Sequence, residues 1–163
     1  MRHVLSNCNV AVQEPQLRFN LRHDPILLHI VKQMLARNAH PGKRIIADVK
    51  DHSLPNGGTI PPEVMVSGLR PDLVMIDEKS GDFEIFELTC PADDMKNINN
   101  AQSRKSEKYA QLPTDIRKTG VKCEKVTPFE VCALGNIPEH ARTIIRYLVG
   151  KRAARDAFKA LPK

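Results

Sequence analysis

Asp72, Glu87 and Lys105 are the residues of this chain whose types and spacing could do chemistry. Asp72 opens the run Leu73-Val74-Met75-Ile76-Asp77, and Glu87 lies late in Asp82-Phe83-Glu84-Ile85-Phe86-Glu87-Leu88-Thr89. Both runs are rich in β-branched and aromatic residues. The polar segment Glu78-Lys79-Ser80-Gly81 separates them, which is the pattern of a β-hairpin. If Asp77 faces Asp82 across that turn, Asp72 faces Glu87. Alternation along a strand then puts Val74, Ile76, Phe83 and Ile85 on the same face as the two acids. Like charges directly opposed on a sheet are destabilising. An apolar face tolerates them when a cation lies between them or when one is protonated. A divalent metal is the sharper expectation. A register slip of one residue would instead send the acids to opposite faces.

The lysine comes from the next periodic segment. Ile98, Ala101, Lys105, Tyr109 and Leu112 recur at spacings of three or four, so a helix over 98–112 turns Lys105 along its apolar side. A lysine there can simply pack its stem and send its ammonium to water. Two carboxylates on the neighbouring sheet face favour a partnership instead. Lys108 lies at the edge of the same stripe and is the alternate, and Arg104 on the outer face suits solvent or a phosphate. Hydrolysis of a phosphodiester fits such a set. Carboxylates hold one or two Mg²⁺ ions through oxygen, with Mn²⁺ able to substitute. The metal lowers the pKa of a bound water, and the lysine orients that water or stabilises the transition state.

The elements that position these groups are those of an ordinary α/β protein. At 163 residues, with 41% hydrophobic and 27% charged content, the chain suits one globular domain with its own core. We expect an arm over 1–17 and a single domain over 18–163. No apolar run approaches the ~20 residues that span a bilayer, and the N-terminus lacks the apolar stretch of a signal peptide. No membrane partner is expected. Cys8, Cys90, Cys123 and Cys132 are scattered without a Cys-x-x-Cys pair, which reads as reduced thiols in an intracellular protein, nuclear in a eukaryote and otherwise cytoplasmic. Residues 1–94 hold 10 Lys/Arg against 13 Asp/Glu, and residues 95–163 hold 15 against 6. A basic half beside an acidic strand pair suits a polyanion, although a basic solvated surface explains the charge equally well.

Asp24-Pro25 opens a helix over 25–37, with Asp24 as N-cap and Pro25 at the first position. Arg22 and His23 stand just outside it. A strand over 44–49 leads into a loop over 51–68 that contains Glu63, Pro55-Asn56-Gly57-Gly58 and Pro61-Pro62. After the hairpin and the 98–112 helix, Pro113 begins a short helical turn that stops near Gly120. Strands are expected over 121–126 and 129–134, interrupted at Pro128. A last helix starts at Pro138, carries Arg142 and Arg146 away from its apolar stripe, and continues past Gly150. Leu73, Met75, Phe86 and Leu88 make the hairpin's reverse face apolar as well, so a central mixed sheet is expected to carry helices on both faces.

Four motifs together resemble a family. Arg22-His23-Asp24, Arg70-Pro71-Asp72-Leu73-Val74, Glu87-Leu88-Thr89-Cys90-Pro91 and Lys105-x-x-Lys108-Tyr109-x-x-Leu112 are similar to the PD-(D/E)xK restriction-endonuclease-like superfamily. Within it they most resemble the restriction-like endonuclease domain of site-specific non-LTR retrotransposons, itself similar to archaeal Holliday-junction resolvases. The likeness spans about residues 18–135. It implies a restriction-endonuclease-like core and a Mg²⁺-dependent DNA endonuclease acting on duplex or branched DNA, with a homodimer where cuts are paired. It implies that Asp72 and Glu87 are metal ligands and Lys105 the catalytic lysine. His23, Asp24, Lys108 and Tyr109 would be auxiliary, while Arg70, Arg104, Lys108, Arg142 and Arg146 would contact nucleic acid. The chain departs from the superfamily at Thr89, where the lysine usually stands. In the retroelement branch the lysine moves to the following helix, as Lys105 does. Without that shift the domain would be a catalytically inactive nucleic-acid-binding module.

Overall fold

The computed structural model of the protein describes residues 22–49, 54, 60–65 and 67–150. The expected arm and the residues past Gly150 lie outside the described residues, as does most of the loop over 51–68. The last helix, expected to continue past Gly150, ends at Val149, where Gly150 leaves the helical conformation at φ +84°. The elements are α1 (Asp24–Ala36), β1 (Lys43–Ala47), a 3₁₀ turn (Pro62–Met65), β2 (Leu73–Asp77), β3 (Phe83–Thr89), α2 (Met95–Lys108), α3 (Leu112–Lys118), β4 (Cys123–Glu130) and α4 (Glu139–Val149). The chain folds into two compact units. Among the described residues, 22–39, 88–102 and 129–150 build one, and those within 40–87 and 103–128 build the other.

The hairpin is set by its turn. The Asp77 carboxylate accepts the backbone N–H groups of Lys79 and Ser80 at 2.9 Å each, which folds the chain back with Gly81 at φ +76°, a conformation glycine adopts without cost. Asp77 N–H then donates to the Asp82 carbonyl at 2.9 Å. The resulting register pairs Val74 with Ile85 and Ile76 with Phe83, the alignment expected from the loop length. β1 pairs antiparallel with β2, and the sheet order is β1-β2-β3-β4. β4 runs parallel to β3, since Phe83 N–H meets the Lys122 carbonyl and Val131 N–H meets that of Thr89. The sheet is therefore mixed, with helices flanking it.

One sheet face and two helices make the core of the second unit. Ile46, Val74, Ile76, Phe83 and Ile85 pack with Tyr109, Leu112 and Ile116 from the end of α2 and from α3, joined by Ile60, Val64 and Cys123. Leu73, Met75 and Phe86 on the reverse face are also buried, so both faces are covered, as their composition requires. In the first unit, α1 presents Ile26, Leu27, Ile30, Val31 and Met34, and α4 presents Ala141, Ile145, Leu148 and Val149. These two helices pack on each other.

Three local expectations are corrected. The N-cap of α1 is His23, and Asp24 is the first helical residue. Asp24 gives its carboxylate to the His23 ring instead of to the helix N–H groups. α2 spans Met95–Lys108, three residues earlier at its start than the stripe suggested, because the Asp94 carboxylate accepts Asn97 N–H at 2.9 Å and nucleates a turn. β4 is continuous through Pro128. It lies at the sheet edge, where a proline is tolerated.

Candidate active site

The register that pairs Val74 with Ile85 brings the start of β2 against Glu87, and the side chain of Glu87 turns into the apolar face. Glu87 is wholly buried. Its Oε1 accepts the backbone N–H of Asp72 at 3.0 Å. Its Oε2 accepts Lys105 Nζ at 2.5 Å. The same ammonium lies 3.9 Å from Asp72 Oδ2. Asp72 and Lys105 keep only 12% and 17% of their side-chain surface exposed, so this group of two acids and one ammonium is largely shielded from water.

The helical stripe explains how Lys105 arrives there. Ile98, Ala101, Tyr109 and Leu112 are all buried, and Lys105 falls on the same side, where its ammonium finds the carboxylates rather than solvent. Tyr109, one turn on, fixes the arrangement from behind. Its hydroxyl donates to the Arg70 carbonyl at 3.0 Å and accepts Lys108 Nζ at 3.0 Å. Lys108 also lies 4.6 Å from the centre of the Tyr109 ring, within cation–π range. Arg70 immediately precedes Pro71-Asp72, so Tyr109 anchors the backbone that presents the first acid.

Burial dominates the electrostatics. It pushes the Glu87 carboxyl up to about 7, the Asp72 charge adds to the rise, and Lys105 opposes it. Burial, then the charge on Glu87, drives the Tyr109 hydroxyl well above the usual phenol range. Tyr109 is therefore a permanent hydrogen-bond donor. Two carboxylates against one ammonium leave the site one negative charge in excess when all are ionised. That excess adds to the effect of burial in raising Glu87, and it is the condition a divalent cation would relieve.

The donor set fits Mg²⁺ in kind. That ion is held through one or two carboxylates, with water and substrate phosphate completing its shell. Asp72 and Glu87 would be its protein ligands. Both Glu87 oxygens carry hydrogen bonds in this structure, so a cation there would take the place of the Lys105 ammonium on Oε2. Among the described residues no group of three or more His, Cys, Asp or Glu side chains is placed to hold a metal.

The other expected residues fall elsewhere. Arg104 is exposed on α2. Arg70 pairs with Asp48. His23 and Asp24 belong to the first unit, where they bond to each other at 3.0 Å. Arg142 and Arg146 are in that unit too, and both engage Glu139, with Arg142 Nε also donating to the Ile137 carbonyl at 2.8 Å. Thr89 is buried in the strand, and its carbonyl accepts Val131 N–H at 3.0 Å.

Two polar features were missed. Asp48 N–H donates to the Asp72 carbonyl at 2.9 Å; continuing the β1–β2 register past Ala47 and Leu73 puts Asp48 opposite Asp72. Its signal is a first acid after an apolar strand, visible only once that register is known. In the first unit Glu130 is wholly buried and bonds the His140 ring through Oε2, while Oε1 has no hydrogen-bond partner. Burial raises the Glu130 carboxyl. An acid within Phe129-Glu130-Val131-Cys132 was the available sign.

No family model matches the chain, and no curated protein is significantly similar to it. Among the described residues no helix is long and apolar enough to cross a membrane.

Proposed function

We propose that the chain is a metal-dependent endonuclease that hydrolyses DNA phosphodiesters, built on a restriction-endonuclease-like core. The observation that carries the reading is the convergence of Lys105 from α2 on the facing pair Asp72 and Glu87. The order of a helix, three strands, helices and a fourth strand, with the acids on the middle strand pair, supports the same core. Mg²⁺, with Mn²⁺ as substitute, would lower the pKa of the attacking water and offset charge developing on the phosphate.

The protein's own groups set the stage for that chemistry. Asp72 and Glu87 present oxygen ligands on a rigid strand pair. Lys105 keeps its ammonium beside both, where it can hydrogen-bond the attacking water or the phosphate oxygen. Tyr109 holds the Arg70–Asp72 backbone in register. The enclosed position excludes bulk water, which strengthens each of these interactions. Duplex or branched DNA is the substrate class, and a homodimer would supply two active sites for paired cuts. The resemblance to retrotransposon domains further suggests a nuclear or, in a prokaryote, cytoplasmic setting.

The test is cleavage of supercoiled plasmid and of a branched junction with Mg²⁺, Mn²⁺ or EDTA. Wild type should cut only with metal, and Asp72→Ala should not cut. Undiminished metal-dependent cutting by Asp72→Ala would refute the assignment. A second reading is a binding module without activity. The closed Lys105–Glu87 bond and threonine at position 89 favour it, and it predicts salt-sensitive DNA binding by both proteins with no cutting.

A further inference from the structure

We propose that Asp48 and Arg70 form an exchangeable latch, in which Arg70 trades the Asp48 carboxylate for a DNA phosphate beside Asp72 and Glu87. The inference rests on the nuclease reading and assigns how that site takes hold of its substrate. Arg70 is fixed at its backbone, where Tyr109 donates to its carbonyl at 3.0 Å. Its guanidinium is bound to Asp48, and the Arg70 side chain is still 56% exposed, against 26% for that of Asp48. Asp48 is fixed at its backbone too, through the 2.9 Å bond to the Asp72 carbonyl. Two anchored backbones thus present one exposed ion pair within two residues of the first acid.

The energetics favour exchange. An exposed ion pair contributes little to stability, so breaking it costs little. A guanidinium binds phosphate through two parallel N–H···O bonds and gains counterion release from DNA. Asp48 keeps its negative charge after Arg70 leaves it, so part of what the phosphate contact gains is offset by repulsion from that carboxylate. In the free protein the carboxylate occupies the guanidinium, and in the complex a phosphate takes its place. Asp48 therefore tunes affinity through Arg70, as a positioning residue and not as a ligand of substrate.

A double-mutant cycle tests this. Wild type, Asp48→Asn, Arg70→Gln and the double variant are titrated with a short DNA duplex in EDTA across a range of salt, and in parallel with inorganic polyphosphate. Asn keeps the backbone bond to Asp72 and the side-chain shape; Asp48→Ser repeats the test with a smaller group. Asp48→Asn should bind about threefold to fivefold tighter, the scale of an exposed ion pair, and this gain should vanish in the Arg70→Gln background. Arg70→Gln should lower the slope of log affinity against log salt by about 0.9, one phosphate contact. An equal gain in both backgrounds would overturn the latch, as would an unchanged slope. An Arg70-dependent gain on polyphosphate, with no DNA cleavage by wild type, keeps the latch and sinks the nuclease reading. DNA cleavage without an Arg70-dependent gain does the reverse.

Discussion

Replacing Glu87 by Gln isolates the least favourable charge in the second unit. The buried carboxyl is pushed from its ordinary 4.5 up to about 7. The folded protein therefore binds a proton that the unfolded chain has already released between those pH values. Such a group contributes stability that is fully present below about 4.5 and is lost as pH rises through about 7. At about 1.4 kcal/mol per pH unit, ionising Glu87 in place costs about 3 kcal/mol. Burial first and the Asp72 charge second account for that cost, and Lys105 already offsets part of it. Glu87→Gln keeps the shape, removes the titration and should erase this component of the pH dependence. The assay is urea unfolding in EDTA at intervals from pH 4.5 to 8.5, for both proteins. Wild type should lose about 3 kcal/mol more than the variant across that range. The offset between the two at low pH reports the hydrogen bonds of the amide and is irrelevant to the slope. Parallel curves, with a difference constant to within about 0.5 kcal/mol, would show that the carboxylate is adequately compensated and that the charge argument is wrong.

Four further outcomes are testable, the first two from the same charge excess. In Lys105→Met the Glu87 titration, followed by carboxyl ¹³C NMR, should move above that of wild type because the opposing ammonium is gone, and plasmid cleavage should fall about a hundredfold; an unmoved titration would mean that Lys105 does not face Glu87 in solution. Mg²⁺ should raise the thermal midpoint of wild type more at pH 8 than at pH 5.5, since it competes with the Glu87 proton, and should leave Glu87→Gln much less affected; equal shifts at both pH values would count against metal binding by this pair. Tyr109→Phe removes one hydrogen bond to the Arg70 carbonyl and should cost about 1 kcal/mol in urea unfolding with packing intact; a neutral result would mean that the hydroxyl does not anchor this segment. His140→Ala should destabilise the protein by about 1–3 kcal/mol. Glu130 is already raised by burial, and losing the His140 bond raises it further, so this loss should grow as pH rises; a pH-independent loss would show that only packing was removed.

The hairpin and its acids were legible because their register depends on local chemistry. The turn from Asp77 to Asp82 closes through backbone groups bound to the Asp77 side chain, and a short loop leaves the strands little freedom to slip. Once that register holds, Asp72 and Glu87 follow by alternation. Lys105 was legible for a similar reason, since Ile98 and Ala101 on its own helix and Tyr109 just past its end fix the direction it points. Asp48 was not legible. Its place opposite Asp72 depends on a pairing between β1 and β2, and the long connection between those strands carries no turn signal that counts residues across it. Nor could sequence separate a capping Asp24 from one that bonds His23, because both readings use the same residue next to the same proline. Pro128 misled for a related reason: a proline breaks a central strand and is tolerated at an edge, and strand order is not a local property.

The distinction bears on what the site can do. The groups readable from local pattern, Asp72, Glu87 and Lys105, are those proposed for chemistry, and they form a closed set bonded to one another. The pair that required the full sheet, Asp48 and Arg70, sits at the edge of that set with the arginine side chain more than half exposed. A buried triad with one uncompensated negative charge repels a bare phosphate. An exposed arginine two residues away, paired with the Asp48 carboxylate, is the cation that on this reading would meet that phosphate first. On the proposed nuclease reading, approach of substrate and neutralisation of the acids fall to different side chains: Arg70 would serve the first, and Lys105 with a divalent ion the second. Loss of Arg70 should therefore weaken binding with its salt dependence, while loss of Lys105 should slow turnover and leave the salt slope of binding in place.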